Sequence, residues 1–194
     1  SATAPGVALP PYIPVGRRAA QNLRCAGRTS AAKAMDGRER LHPCTSPAAM
    51  VHAGLAALAS LPQTKVEACS SLYASAPVGL TNQPDFVNAA CRVRTALPAR
   101  TLMQALLDIE KQHGRVRNNE KGGPRTLDLD LLLYGDFVLN EPDLTLPHPR
   151  LHERAFVLCP LCELDAGLLI PGRGRAADLL AACASQRVER LERC

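Results

Sequence analysis

Two aspartates carry the clearest chemical signal in this chain. They lie in Leu127-Asp128-Leu129-Asp130-Leu131-Leu132-Leu133-Tyr134. Side chains alternate along a strand, so Asp128 and Asp130 share one face about 7 Å apart, and Leu127, Leu129 and Leu131 take the other. Two like charges so placed need a counter-charge. Hard carboxylate oxygens with no Cys or His beside them favour Mg2+ over zinc. The plain alternative is a solvated strand face. Just upstream stand Arg115, Arg117 and Arg125, whose planar forks match phosphate oxygens. Between them Asn118-Asn119-Glu120-Lys121-Gly122-Gly123 is polar and glycine-containing. That composition suits a lid over a magnesium–polyphosphate site, or simply a solvated basic loop. No Gly-x-x-x-x-Gly-Lys-Ser/Thr string and no protein-kinase signature set occurs, which sets both of those phosphate-binding designs aside.

A second constellation suits a flat ligand. Phe86 and Phe156 are two of only three Phe in the chain. Gln83, Asp85 and Asn88 surround the first, and Arg154 precedes the second. Two rings can sandwich a heterocycle, and Asn88 can read its donor–acceptor edge. Spacing alone favours the plainer reading, that both are core phenylalanines.

These residues need elements to hold them. Met50, Leu55, Leu58 and Leu61 predict a helix behind a cap at Ser46. Val66 to Leu72 reads as a strand, residues 77–84 as a loop, and Phe86 to Val93 as a strand paired with the preceding one. Pro98 opens a helix with Leu102, Leu106 and Ile109 on one face and Gly114 at its end. Leu127 to Tyr134 is the acid-bearing strand, and Phe137 to Leu139 a short return strand. Leu144 to Arg154 looks irregular. Phe156 to Leu164 predicts a short helix despite Pro160, and Ala176 to Leu191 a weak amphipathic one. The order predicts an α+β sandwich with helices on one face.

Bulk properties bound the rest. With 194 residues, 46% hydrophobic and 21% charged, the composition is that of a globular domain able to bury a core without staples. No apolar run approaches the roughly 20 residues of a membrane span. No secretory signal pattern opens the chain, and a cytoplasmic location is expected. Aromatics are 3% with no Trp, which argues against a nucleic-acid stacking platform. The first 48 residues hold seven basic and two acidic side chains, which accounts for the whole net charge of +5. The basic pI therefore belongs to that segment and gives the body no nucleic-acid signature. Residues 1–48 read as a divergent basic segment in which 12–16 supplies the one strand-like piece; residues 49–194 read as the folded domain. Of eight Cys, only Cys159 and Cys162 are closely spaced, and their apolar surroundings favour packing over zinc.

Taken in order, several strings resemble a known family. They are Ser70-Ser71-Leu72-Tyr73, Gln83-Pro84-Asp85-Phe86-Val87-Asn88-Ala89-Ala90, Gly114-Arg115-Val116-Arg117, Gly123-Pro124-Arg125-Thr126-Leu127-Asp128-Leu129-Asp130, Leu144-Thr145-Leu146-Pro147-His148-Pro149 and Arg154-Ala155-Phe156. The chain resembles 6-hydroxymethyl-7,8-dihydropterin pyrophosphokinase of folate biosynthesis from about residue 50 to 170. The resemblance implies a ferredoxin-like antiparallel sheet with helices packed on its faces. It implies transfer of pyrophosphate from ATP to the pterin hydroxymethyl group, giving the diphosphate and AMP. Asp128 and Asp130 would hold two Mg2+ ions. Arg115 and Arg125 would contact the phosphates, with Arg117, His148, Arg154 and Glu110 also on the ATP side. Ser75, Phe86, Asn88 and Phe156 would hold the pterin, with backbone near Pro77 and Val78. ATP and the pterin would be the partners, with no nucleic acid or membrane, and the protein a monomer or weak dimer.

The chain departs from the family at its start. Tyr12-Ile13-Pro14-Val15-Gly16 resembles the first strand, but Arg17-Arg18-Ala19 replaces the expected glycine-containing turn. Position 122 is Gly where a bulky aromatic is common. A second reading is therefore an impaired homologue acting as a pterin/nucleotide-binding or interaction module. A third is a zinc or redox protein using Cys159 and Cys162.

Overall fold

A computed structural model describes residues 17–26, 46–76, 85–113 and 127–193, with 17–26 and the last two of these residues described by backbone alone. The elements run β1 Arg17–Ala26, α1 Pro47–Ala59, β2 Thr64–Cys69, β3 Ser71–Ser75, β4 Phe86–Thr95, α2 Ala99–Gln112, β5 Asp128–Tyr134, β6 Leu139–Glu141, β7 Leu144–Leu146, α3 Ala155–Leu164, β8 Leu169–Ile170, β9 Gly174–Arg175, α4 Ala176–Ala182 and β10 Val188–Arg193. A 3-10 turn at Leu151–Glu153 leads into α3.

The main sheet is antiparallel with strand order β10-β3-β4-β1-β5, and β2 pairs with β4 beside β3. This is the α+β antiparallel architecture expected from the sequence. Helices cover both faces, as the resemblance implies, rather than the one face that element order alone suggests. On the first face α1 and α2 enclose Val51, Leu58, Leu102, Leu106 and Ile109 with the strand residues Ala89, Cys91, Val93, Leu127, Leu129 and Leu131. On the second face α3 and α4 enclose Phe156, Leu158, Leu161 and Ala176 with Ala90, Leu132 and Leu133.

Local chemistry explains the helices. Ser46 caps α1 by accepting the Ala49 N–H at 3.2 Å, and Pro47 fits the first turn, where its missing donor costs nothing. Pro98 precedes α2, whose buried residues recur at helical spacing. Pro160 lies inside α3. The first N–H of α3, that of Ala155, is met by Gln186 Oε1 at 2.9 Å, and Gln186 Nε2 donates to the Glu153 carbonyl.

Two expectations change, and a third falls outside the described residues. The strand expected over 12–16 lies outside the described residues; the strand flanked by β4 and β5 is Arg17–Ala26. Its sequence RRAAQNLRCA has no clean alternation, so its pairing partners decide its state. The single strand expected over Val66–Leu72 is broken at Ser70. There the hydroxyl accepts the Ala90 N–H at 3.0 Å in place of a ladder carbonyl, and the Ser70 N–H reaches the Ala90 carbonyl at 2.9 Å. The helix expected over Ala176–Leu191 ends at Ala182, and Val188–Arg193 crosses to pair with β3.

Glu163 of α3 fastens that arrangement. It accepts the Ser71 N–H at 2.9 Å, the Ser71 hydroxyl at 2.9 Å, the Tyr73 hydroxyl at 2.8 Å and Arg190 Nη2 at 2.9 Å. Arg190 Nε also donates to Ser71 Oγ at 3.0 Å. One carboxylate thus ties α3, β3 and β10. Partial burial pushes its pKa up, but the Ser71 N–H, the two hydroxyls and Arg190 outweigh that and hold it below the usual range. Burial and Glu163 in turn raise the Tyr73 pKa, so Tyr73 stays a donor. A carboxyl depressed in the folded state stabilises the fold above its unfolded pKa, and that contribution disappears as pH falls through the folded value. Glu163→Gln is expected to cost about 1–2 kcal/mol at pH 7 by urea unfolding, kept modest by solvent at this site. The gap between variant and wild type should close in acid.

Candidate functional site

β5 is the outer strand beside β1, and its alternation does what the sequence suggests. Leu127, Leu129 and Leu131 are buried against α1 and α2, while Asp128 and Asp130 are part-exposed on the α3 side. The pairing with β1 slips between Ala20 and Gln21: Leu131 sits opposite Gln21 and Leu133 opposite Ala20. Leu132 is thus the extra residue of a bulge. Leu132 and Leu133 consequently both join the α3-side core, and Tyr134 returns to the other. The bulge ends the acidic stretch and begins the buried one.

Glu110 supports this strand. It is 1% exposed, and its Oε1 accepts the Leu129 N–H at 2.7 Å. That N–H belongs to the residue between the two aspartates, on the outer strand of the sheet. Among the described residues, Glu110 therefore braces the backbone carrying the acidic pair from the α2 side.

The segment after β7 folds back over β5. The His148 N–H reaches the Leu132 carbonyl at 2.9 Å, just past the cis Leu146–Pro147 bond. His148 Nδ1 accepts the Arg150 N–H at 3.3 Å. Burial depresses the His148 pKa below the ordinary imidazole value; Asp130 and Asp128 pull it up, and Arg154 and Arg150 push it down. Burial likewise lowers Arg154, assisted by Arg150 and opposed by Asp130 and Asp128. These mutual influences place Asp128, Asp130, His148, Arg150 and Arg154 in one electrostatic neighbourhood. The Arg154 guanidinium carbon lies 5.6 Å from the Phe156 ring centroid, within cation–π range. Phe156 itself is 3% exposed, packed with Ala90 and Leu132.

A polar pocket edge lies on β4 and β3. Asn88 is wholly buried. Its Nδ2 donates to Ser75 Oγ at 3.0 Å, the Tyr73 carbonyl at 3.3 Å and the Phe86 carbonyl at 3.4 Å. Its Oδ1 has no hydrogen-bond partner among the described residues. Asn88 pairs across β4–β1 with Arg24, and Arg24 pairs across β1–β5 with Asp128. Asn88 and Asp128 therefore stand in one row, two strand spacings or about 10 Å apart.

The sequence thus named two groups that the fold brings together: Ser75, Phe86 and Asn88 in one, and Asp128, Asp130, His148 and Arg154 in the other. Phe156 joins the second through Arg154. Arg115, Arg117 and Arg125, with Pro77 and Val78, lie outside the described residues. Arg150 was missed; its place two residues after His148 was the available signal. The backbone role of Glu110 had no sequence signal.

Metal binding can be tested on the donor set. Among the described residues no group of three His, Cys, Asp or Glu side chains converges as a metal cage. Two part-exposed carboxylates on one strand face fit Mg2+ brought in with a polyphosphate, since such ions use one or two carboxylates, phosphate oxygens and water. They do not fit a closed zinc site; Cys159 and Cys162 are half-buried thiols whose pKa values burial raises.

The chain matches the model of the 7,8-dihydro-6-hydroxymethylpterin-pyrophosphokinase family over residues 44–166. It belongs to that family. A 2-amino-4-hydroxy-6-hydroxymethyldihydropteridine pyrophosphokinase of Pseudomonas aeruginosa is 44% identical over 145 residues, covering 75% of this chain and 89% of the relative. The enzyme of the same name from Haemophilus influenzae is 38% identical over 146 residues, covering 75% and 91%. Among solved structures, an HPPK-DHPS in complex with substrates shares the fold at TM-score 0.59 and 11% identity. The Plasmodium falciparum HPPK-DHPS with pteroate does so at 0.60 and 12%. Each aligns over 86% of this chain, which spans only 43% and 42% of those longer proteins.

The electrostatic neighbourhood has a measurable sign. His148 is expected to titrate below the ordinary imidazole value of about 6.5 when its ring protons are followed by NMR. Asp130→Asn should lower it further, because the Asp130 charge is what pulls it up. A rise in the variant would place the two groups apart.

Proposed function

We propose that this chain transfers the pyrophosphoryl group of ATP to 6-hydroxymethyl-7,8-dihydropterin, with residues 49–194 as its catalytic domain. The observation that carries the reading is one sheet row. Asn88 keeps a buried acceptor unfilled among the described residues at one end and Asp128 a part-exposed carboxylate at the other, about 10 Å away. A bicyclic ring read at Asn88 directs its hydroxymethyl arm toward the aspartates. Ser75 fixes the Asn88 amide, leaving Oδ1 for a ring donor. Phe86 would flank the ring, and Phe156 would approach it from the α3-side core in which it packs.

In the reaction the hydroxymethyl oxygen attacks the β-phosphorus of ATP. The bond from that phosphorus to the α–β bridging oxygen breaks, AMP leaves, and the hydroxyl proton passes to an aspartate carboxylate or water. Asp128 and Asp130 would hold two Mg2+ ions, which when bound supply positive charge to the phosphate oxygens. Arg115, Arg117, Arg125 and Arg154 align the phosphate chain and stabilise its developing charge. His148, held largely neutral, donates or accepts a hydrogen bond on the nucleotide side without adding charge. Glu110 keeps the backbone between the aspartates in place. ATP as co-substrate fits a cytoplasmic location. Among the described residues no helix is long and apolar enough to cross a membrane.

Asp130→Ala should lower AMP release by two or more orders of magnitude while leaving the far-ultraviolet spectrum unchanged. Calorimetric titration with the pterin and a non-hydrolysable ATP analogue, run beside the turnover assay on wild type, separates an enzyme from a binding module. Binding of both without AMP formation would sink the enzymatic reading. Near wild-type turnover by Asp130→Ala would sink the role given to the aspartates.

A further inference from the structure

Cys69 of β2 and Cys91 of β4 are cross-strand partners. Both stand as thiols, Cys69 half-buried and Cys91 fully buried. Both pack into the same core, under α1 and α2, so they lie on one face of the sheet. The neighbouring rung fixes their spacing. The Ser70 N–H reaches the Ala90 carbonyl, and the Ala90 N–H is taken by the Ser70 hydroxyl. Positions 70 and 90 thus form the hydrogen-bonded rung, and the Cys69–Cys91 rung is the alternate kind, with Cα atoms about 4.5 Å apart. Disulfides bridge Cα separations of about 4.4–6.8 Å, so this rung can close with little movement of backbone. We propose that Cys69 and Cys91 form a reversible cross-strand disulfide under oxidising conditions.

The chemistry starts at Cys69, the more accessible of the two. The thiols share a hydrogen bond, which lowers the Cys69 pKa against the upward push of burial. With glutathione disulfide as oxidant, the Cys69 thiolate attacks one glutathione sulfur, breaks its S–S bond and releases a glutathione thiolate. The Cys91 thiolate then attacks the Cys69 sulfur of the mixed disulfide and releases the second glutathione. The two protein protons pass to the departing thiolates; the two cysteines are oxidised and one glutathione disulfide is reduced. Cys69 is only half-buried, and exposed disulfides are the more easily reduced kind, which suits a switch. The closed segment carries Ser75, Phe86 and Asn88, so oxidation would clamp β3 and its polar edge onto β4.

The sequence offers a direct readout. Trypsin cuts after Lys65 and Arg92 and nowhere between, and residues 66–92 contain only these two cysteines. The protein, residues 1–194, is equilibrated over a series of glutathione ratios, quenched in acid, unfolded, alkylated and digested. Peptide 66–92 is expected to lose two hydrogens and resist alkylation in the oxidised samples, and to take two alkyl groups after dithiothreitol. The oxidised protein should also melt roughly 5 °C higher. In Cys69→Ala, Cys91 should stay alkylatable throughout, and in Cys91→Ala, Cys69 should carry at most a single glutathione. Full alkylation of both thiols at every ratio, separate glutathione adducts on each, or cross-linked peptides joining either to another cysteine would overturn the proposal.

Discussion

The molecule's central physical problem is to hold two negative charges side by side on one outer strand. At about 7 Å, their repulsion is roughly 0.6 kcal/mol in water-like surroundings and about 2.4 at an effective dielectric of 20. Against it stand Leu127, Leu129 and Leu131, all 3% exposed or less, each contributing about 1.5–3 kcal/mol by burial. The apolar face therefore wins and decides which way the acidic face must point. Glu110 adds a hydrogen bond to the backbone between the two charges, and the His148 N–H fixes the strand at Leu132. The buried leucines, the Glu110 bond and the His148 bond all act on the strand's apolar face or backbone, and so fix where the carboxylates stand.

The same logic runs through the polar edge at Asn88. A buried amide oxygen without a partner costs about 1–3 kcal/mol, yet the Asn88 amide nitrogen is held by three acceptors. Those bonds orient the group so that the orphan is the oxygen. A rotated amide would set its oxygen against two carbonyls, so the orientation of this buried recognition edge is dictated by the carbonyls of Tyr73 and Phe86 together with Ser75. A ligand that supplies a donor there recovers the lost hydrogen bond, whereas one without a donor leaves the acceptor orphaned. That is discrimination through an unsatisfied group rather than through shape.

Local pattern made part of this legible. Alternating Leu and Asp identified β5 and its two faces, Ser46 marked the start of α1, and Pro98 with Leu102, Leu106 and Ile109 marked α2. What local pattern could not show were features set by partners distant in sequence. Arg17–Ala26 is a strand because β4 and β5 lie on either side of it, not because its residues alternate. Val188–Arg193 continues an amphipathic period on paper, yet β3 offers it an unfilled edge and Glu163 offers Arg190 a carboxylate. The Leu132 bulge explains why both Leu132 and Leu133 face α3, which strict alternation forbids. In the site, residue type pointed to Asp128, Asp130 and Asn88. Arg150 was hidden in a segment with no period, and Glu110 acts through a backbone atom.

The two helical layers divide the work of the sheet. The layer formed by α1 and α2 contacts the leucine face of β5 and holds the acidic strand from behind. The layer formed by α3 carries Phe156 at its start and Glu163 near its end, so one short helix contacts the candidate site and the β10 edge together. Arg154 precedes the helix and lies over Phe156, while Gln186 bonds the helix's first N–H from just before β10. A shift of α3 would thus disturb Arg154, Phe156 and the β10 contact at once. The polar ties at Glu163 and Gln186 carry direction that apolar burial lacks: Leu158 and Leu161 would tolerate a small rotation of α3, but four hydrogen bonds converging on one carboxylate would not. Placement of the residues around the aspartates is therefore set from the far edge of the sheet as well as from β5.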